Sequence, residues 1–376
     1  MSKWSIDGIH SFEPEPQQDC SAIVRLAHAN ALESPSSGIR YVGLSNKLKD
    51  SDLSEEYRWG RCIEVNWKQL RRNVLLRNLP ILEPESDVEF HDDKEESIRG
   101  GIEQILAAID GNMFSQEQVS GEPLSCEVWA KVHVHNVGQG DTIVLELPDN
   151  QYWMIDARLW RESRRDEFKK WMKRFEGKRF SKLIVSHFHY DHIHSVPYII
   201  EEYKPDEVVV VDSLLHPTIT TQRVLDKAGK SLKVLRGTEY FSFGELKITL
   251  FRSVDLPNVM VGKDPNSHEI GVCLCTQRTR AFLAGDMPAH QCEEAIKAYF
   301  PSKGKANTYY KVSHHGSRTG NSQTFMNALD PQYSVISCGK GNRFGHPHTE
   351  IWKSLPGDVI RTDQLECGVS DEFNIE

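Results

Sequence analysis

The chain lacks the marks of several large classes of protein. Its first fifteen residues are polar and rich in Pro and Glu, so no secretory leader is read there, and the longest purely aliphatic run, Val208–Val211, is strand-sized. These absences predict a chain without a membrane segment, working in the cytoplasm. The eight cysteines contain no C-x-x-C pair. That spacing argues against a zinc ribbon or a dithiol redox site and leaves reduced core thiols. Positive charge is also short: the net charge is −9, which argues against a general nucleic-acid binder. P-loop, G-x-G-x-x-G and nucleophile-elbow motifs are missing, so neither nucleotide-dependent chemistry nor a serine hydrolase is indicated.

What is present is organised in three stretches. Residues 1–82 read as an N-terminal accessory module, α+β in character. It has a helical candidate near Cys20–Leu32 and strands at Gly38–Leu44 and Tyr57–Trp67. Aromatic and basic residues interleave there (Tyr41, Tyr57, Arg58, Trp59, Arg61, Trp67). Strand packing accounts for the pattern, and recognition of a base or of a protein partner is the alternative. Residues 83–125 read as an acidic linker, Glu83–Lys94, followed by a helix at Ser97–Asn112 and a polar stretch at Ser115–Ser125. Residues 126–376 read as the catalytic domain, in which strands alternate with helices.

Within that domain, Val128–Val137 and Thr142–Leu147 predict paired strands around Gly138-Gln-Gly-Asp141. His133 and His135 share one strand face and read as structural. Phe168, Trp171, Met172 and Phe175 recur at i, i+3, i+4 and i+7, the buried stripe of an amphipathic helix. Around it, residues 158–182 carry eleven Lys/Arg against four Asp/Glu, either a solvated face or a surface for a phosphate backbone.

The chemistry concentrates where the apolar run Leu183-Ile184-Val185 ends. His187, His189, Asp191 and His192 follow within six residues, and imidazole with carboxylate suits zinc and similar ions. His187 and His189 can bind one ion from an extended segment, while a turn aims Asp191 and His192 at a second. Further candidates end two other apolar strands: Gly285-Asp286, and Ser313-His314-His315-Gly316.

H-x-H-x-D-H, then Gly-Asp, then a late histidine resembles the metallo-β-lactamase fold superfamily. The finer similarity is to the soluble hydrolase domain of the ComEC/Rec2 competence proteins. It is carried in order by Asn136–Asp141, Met154–Ala157, His187–His192, Leu283–Asp286, Lys311–Ser317, Ser337–His348 and Arg361–Gln364. The resemblance implies an αββα sandwich of two mixed sheets flanked by helices, holding two divalent metal ions, Zn2+ by preference and Mn2+ as the alternative. It implies that His187, His189 and a third histidine hold one ion; His268, eighteen residues before Asp286, is preferred over His216 for that place. Asp191, His192 and one of His314 and His315, His314 by preference, hold the other, and Asp286 bridges them. Asp141 and Asp156 would orient the ligand histidines. Asp191, Asp286, His315 and His346 would act in catalysis, and Lys311, Ser317, Arg318, Lys340 and Arg343 would meet the substrate. Two departures stand out. The competence proteins carry this domain beside a membrane channel, and their motif often has Asp where this chain has His189.

The implied reaction is metal-assisted hydrolysis, with two ions roughly 3.5–4 Å apart activating a water. The expected function is a phosphodiesterase or nuclease acting on DNA or RNA. The alternatives are a hydrolase of a small ester, lactone or phosphoester, and a non-catalytic sensor or assembly subunit whose metal centre is structural.

Overall fold

The computed structural model describes residues 2–11, 20–28, 39–45, 62–65, 71–73, 79–82, 88–91, 99–100, 102–106, 108, 114–119, 122–125, 128–158, 165–213, 215, 218–300, 307–342, 344–366 and 369–376. Internal contacts divide the chain into two units, Met1–Ala108 with Leu214–Asp226, and Ile109–Ser213 with Lys227–Glu376.

The first unit holds a seven-stranded sheet in the order Arg71–Asn73, Leu79–Leu82, Ile39–Ser45, Cys20–His28, Ser2–Ser11, Cys62–Val65, Val88–His91. The helix expected near Cys20–Leu32 is a strand over Cys20–His28, antiparallel to both neighbours. Its β-branched Ile23 and Val24 favour the pleat, and a short apolar stretch without strict alternation fits either period. The acidic stretch read as a linker contains the strand Val88–His91, whose apolar–polar alternation matches a pleat. Of the helix expected at Ser97–Asn112, residues 99–100 and 102–106 are helical. Tyr57, Arg58, Trp59, Arg61 and Trp67 lie outside the described residues.

The second unit is two sheets face to face. One runs Leu232–Leu235, Glu207–Val211, Arg179–Ile184, Gln151–Ile155, Ile143–Leu147, Ala130–His135, Ser370–Ile375. The other runs Asp358–Arg361, Tyr333–Ile336, Asn307–Lys311, Thr279–Leu283, Ile270–Cys275, Leu246–Arg252, Thr238–Phe243, Phe114–Val119. Both are mixed. Strands 151–155 through 232–235 are parallel in the first sheet, as are 279–283 through 358–361 in the second. The polar stretch after residue 114 supplies the edge strand Phe114–Val119. An edge strand is held by backbone pairing on one side, so it need not show an apolar alternation.

Period-two alternation builds the core. Val132 and Val134, Ile143, Leu145 and Leu147, Trp153 and Ile155 face Phe241 and Phe243, Leu246, Ile248 and Leu250, Ile270, Val272 and Leu274 in one buried cluster. Trp153 meets Phe241 edge to face at 4.9 Å. The opposite face of the second sheet (Phe251, Cys273, Phe282, Tyr310, Ile336) packs on apolar residues of the helices Ala289–Tyr299 and Gln323–Leu329. The predicted stripe Phe168, Trp171, Met172, Phe175 is buried, on the helix Arg165–Met172 and the turn after it. The layers are therefore α, β, β, α.

His133 and His135 stand on the outer face of their strand, beneath that helix. Carboxylates of neighbouring strands approach His133: Glu146 at 3.3 Å and Glu372 at 3.4 Å. His135 stacks on Trp171 at 3.9 Å between ring centroids. Burial, reinforced by the charge of Arg174, pushes the His135 imidazole down to about 3. An unfolded histidine titrates near 6.5, so between about pH 6.5 and 3 the unfolded chain binds the extra proton. Stability contributed by neutral His135 is thus complete above pH 6.5 and lost as pH falls, at about 1.4 kcal/mol per pH unit. His135→Phe should therefore lose stability less steeply than the native chain between pH 6.5 and 4 in urea unfolding. Parallel curves would remove His135 from the account.

Candidate metal centre

The candidate ligands converge on one end of the sandwich, at the carboxyl ends of its parallel strands, where open α/β sheets place their sites. Asp156 follows the strand Gln151–Ile155 with a left-handed backbone, φ 56°. Its carboxylate accepts from the Ser186 backbone N–H at 2.8 Å and the Ser186 hydroxyl at 2.7 Å. It also meets His192 Nδ1 at 2.7 Å. His192 sits on the short helix Tyr190–Ile193, fully buried, with its other nitrogen turned to the cluster. The His187 ring lies 4.5 Å from that of His189 and 4.2 Å from that of His192.

The second sheet supplies the other half. Asp286 Oδ2 lies 3.3 Å from His192 Nε2, 3.4 Å from His315 Nε2 and 3.7 Å from His314 Nε2. His315 Nε2 is also 3.4 Å from Asp191 Oδ2. The His315 Nδ1–H donates to the Ser337 carbonyl at 2.8 Å, which fixes the tautomer and leaves Nε2 facing the carboxylates. Asp191, His192, Asp286 and His315 each offer a ligand atom, all within 4.8 Å of one another.

Glu269, absent from the residues singled out by sequence, is fully buried behind this cluster. It lies 3.3 Å from His187 Nδ1 and accepts from the Asp286 backbone N–H at 2.9 Å. Gly285 makes room for it. A Cβ on this residue, at φ 58°, would come within 2.1 Å of Glu269 Oε2. Glu269 thus stands behind His187 as Asp156 stands behind His192, a carboxylate setting the orientation of an imidazole. Its signal in the sequence was a lone acid directly before the wholly apolar Ile270–Cys275 strand.

These residues fit a divalent cation. The Nε2 atoms of His187, His192 and His315 and Oδ1 of Asp286 are buried without hydrogen-bond partners, an expensive arrangement unless a ligand meets them. Burial alone would raise the Asp191 carboxyl, yet His315 Nε2 at 3.4 Å and the charge of His192 hold it well below its usual range. Burial would likewise lower His315, but Asp286 and Asp191 bring it up to about 9. Burial opposes charge on His192 too, and Asp286 and Asp156 hold it well above the ordinary value. The pocket therefore gathers positive charge around the buried Asp286 and the half-buried Asp191.

Several expected residues fall elsewhere. His268 does not join the cluster: its Nε2 is 3.1 Å from the Gly262 carbonyl. The four-residue cluster includes His315 rather than His314, because both adopt left-handed backbone, φ 50° and 52°, and this turn aims the second ring inward. Such conformations cost roughly 1–2 kcal/mol per residue. Lys311, expected to meet substrate, is fully buried in an ion pair with Asp141 and donates to the Gly285 carbonyl at 3.1 Å. Asp141 therefore serves Lys311, and its distances to the Nδ1 atoms of His315 and His192 are 3.7 and 3.9 Å. Ser317 is buried and shares a hydrogen bond with Thr319. Arg318 is exposed and paired with Glu350 at 2.8 Å. Lys340 is exposed, and Arg343 lies outside the described residues. His346 comes beside the site, its ring 5.4 Å from His314 and 6.5 Å from His315.

The family model described as the metallo-beta-lactamase superfamily matches residues 135–340, more than half of the chain, and the chain belongs to that superfamily. ComE operon protein 3 of Bacillus subtilis is 24% identical over 290 residues, covering 69% of this chain and 37% of that protein. Recombination protein 2 of Haemophilus influenzae is 25% identical over 305 residues, covering 80% and 34%. The chain is thus a metallo-β-lactamase-fold relative of the ComEC/Rec2 type, and it spans about a third of the length of these two curated relatives. Among solved structures, Zn2+-bound PqqB of Methylobacterium extorquens is similar with a TM-score of 0.40 at 11% identity, over 65% of this chain and 100% of that one. No helix among the described residues is long and apolar enough to cross a membrane.

Proposed function

We propose that this chain is a metal-dependent phosphodiesterase acting on DNA or RNA. The observation that carries the hydrolytic reading is the cluster of half-buried Asp191 with buried His192, Asp286 and His315, whose Nε2 atoms lack hydrogen bonds. These four residues would hold one divalent ion, and His187 and His189, with Asp286 shared, would hold the other. Zn2+ suits the donor set best, with Mn2+ as the alternative. When bound, such ions supply a water deprotonated near neutral pH and draw charge from the attacked group.

The chain's own residues do the rest. Asp156 and Glu269 hold the His192 and His187 rings in place from behind. Asp286 Oδ1, buried and without a hydrogen bond, would accept a proton from the attacking water. His346 is pushed down to about 3 by burial and by the charges of His315 and His314. It is neutral at physiological pH, and its unpartnered Nδ1 suits a hydrogen bond to the substrate. The nucleic-acid assignment draws on relatives named for competence and recombination and on the exposed Lys340.

A second reading, hydrolysis of a small ester, lactone or phosphoester, is favoured by a different observation. Much of the positive charge is already paired: Arg174 with Glu372 at 2.7 Å, Arg179 with Asp206 at 2.8 Å, Arg318 with Glu350 at 2.8 Å. A panel of single- and double-stranded DNA and RNA, small phosphodiesters, esters and lactones separates the two. Metal-loaded protein should cut at least one nucleic acid, and Asp191→Ala should not. Turnover confined to small substrates would replace the first reading with the second. Activity retained in Asp191→Ala would overturn both.

A further inference from the structure

We propose that Asn321, together with Tyr310, is a positioning pair that sets the Ser313–Ser317 turn and, through it, the direction of His315. The inference rests on the reading of His315 as a residue that holds the metal. Residues 314, 315 and 316 are three consecutive left-handed positions, with φ of 50°, 52° and 83°. Two of them carry side chains that disfavour this backbone, so the turn needs restraint from outside itself.

The restraint is a closed set of hydrogen bonds in the core. Tyr310, fully buried, is anchored by stacking on Phe282 at 6.1 Å and by edge contact with Phe325 at 5.4 Å. Its hydroxyl accepts from the Ser313 backbone N–H at 2.8 Å and donates to Asn321 Oδ1 at 2.8 Å. The Asn321 amide donates one hydrogen to the Ser313 carbonyl at 2.8 Å and the other to the Ser317 carbonyl at 2.7 Å. Asn321 is itself buried. One side chain therefore ties the residue before the strained triplet to the residue after it. At the entrance, the Ser313 hydroxyl donates to the Met287 carbonyl at 2.6 Å. Within the turn, His315 is held by Ser337. Asn321 acts on the histidine only through the backbone. Loss of the amide should let the triplet relax and swing His315 Nε2 away from Asp191 and Asp286.

The test is Co2+ binding to the metal-stripped full chain, followed by visible absorption, alongside urea unfolding of the metal-free protein. Asn321→Ala should weaken Co2+ affinity by roughly 10–100-fold, the range for a residue supporting a ligand, and should change the band pattern. Tyr310→Phe, which keeps the ring in the core, should move both readouts in the same direction by less. Phe241→Leu, a destabilising change in the core between the sheets, should leave affinity and spectrum at native values. Native affinity and spectrum in both Asn321→Ala and Tyr310→Phe would overturn the proposal. So would an affinity loss in Phe241→Leu equal to theirs, since that would reflect general instability. A native chain that takes up no Co2+ would overturn the metal reading and the positioning pair with it, whereas native binding unaffected by both Asn321→Ala and Tyr310→Phe overturns the pair alone.

Discussion

Lys311→Met should destabilise the second unit by about 3–5 kcal/mol, the range for breaking a buried ion pair from one side. Lys311 and Asp141 are both almost wholly inaccessible to solvent. Burial works against the ammonium, but Asp141 and Asp286 more than compensate and raise Lys311 above its usual value. Methionine keeps most of the volume while leaving the Asp141 carboxylate buried without its cation. Lys311 Nζ is also 3.9 Å from Asp286 Oδ1, so the same change removes positive charge from beneath the cluster. Asp141→Asn in the Lys311→Met background should restore part of the loss. A double-mutant cycle by urea unfolding reads the coupling. Additive losses would show that the two side chains do not support one another.

Asp286→Asn should reduce hydrolysis by more than roughly 100-fold, beyond what is expected for a residue that only supports a ligand. Asp286 is the common neighbour of His192, His315 and His314. Asparagine preserves the shape, and the backbone N–H still donates to Glu269. Only the charge and one acceptor change, so a large loss reports the cluster's electrostatics rather than a collapsed fold. Steady-state rates on whichever substrate the native chain turns over provide the measurement. Rates within tenfold of native would place the chemistry elsewhere.

The sandwich was legible through the resemblance carried by the ordered motifs, and the alternation of its inner-face residues agrees with it. Ile143, Leu145 and Leu147, like Leu246, Ile248 and Leu250, announce a two-sided pleat with one face inward. The metal motif was legible because His187–His192 directly follows a buried strand. What escaped depends on partners distant in sequence or on backbone angles. Lys311 reads as a cation at a strand end, and nothing nearby says that Asp141 waits opposite. His314 and His315 are adjacent and chemically identical, and only the left-handed turn decides which ring joins the four-residue cluster. His268 sat at a plausible spacing, yet its neighbour Glu269 is the side chain turned toward His187. The strand Cys20–His28 shows the other limit, since a short apolar stretch without strict alternation fits either period.

The most direct test is calorimetric titration of the metal-stripped chain with Zn2+, native against Asp286→Asn. The account predicts saturable uptake by the native chain, with protons released as the His192 and His315 imidazoliums give way to metal, and uptake weakened by more than about 100-fold in Asp286→Asn. Equal affinity in the two proteins, or no uptake by the native chain, would contradict it.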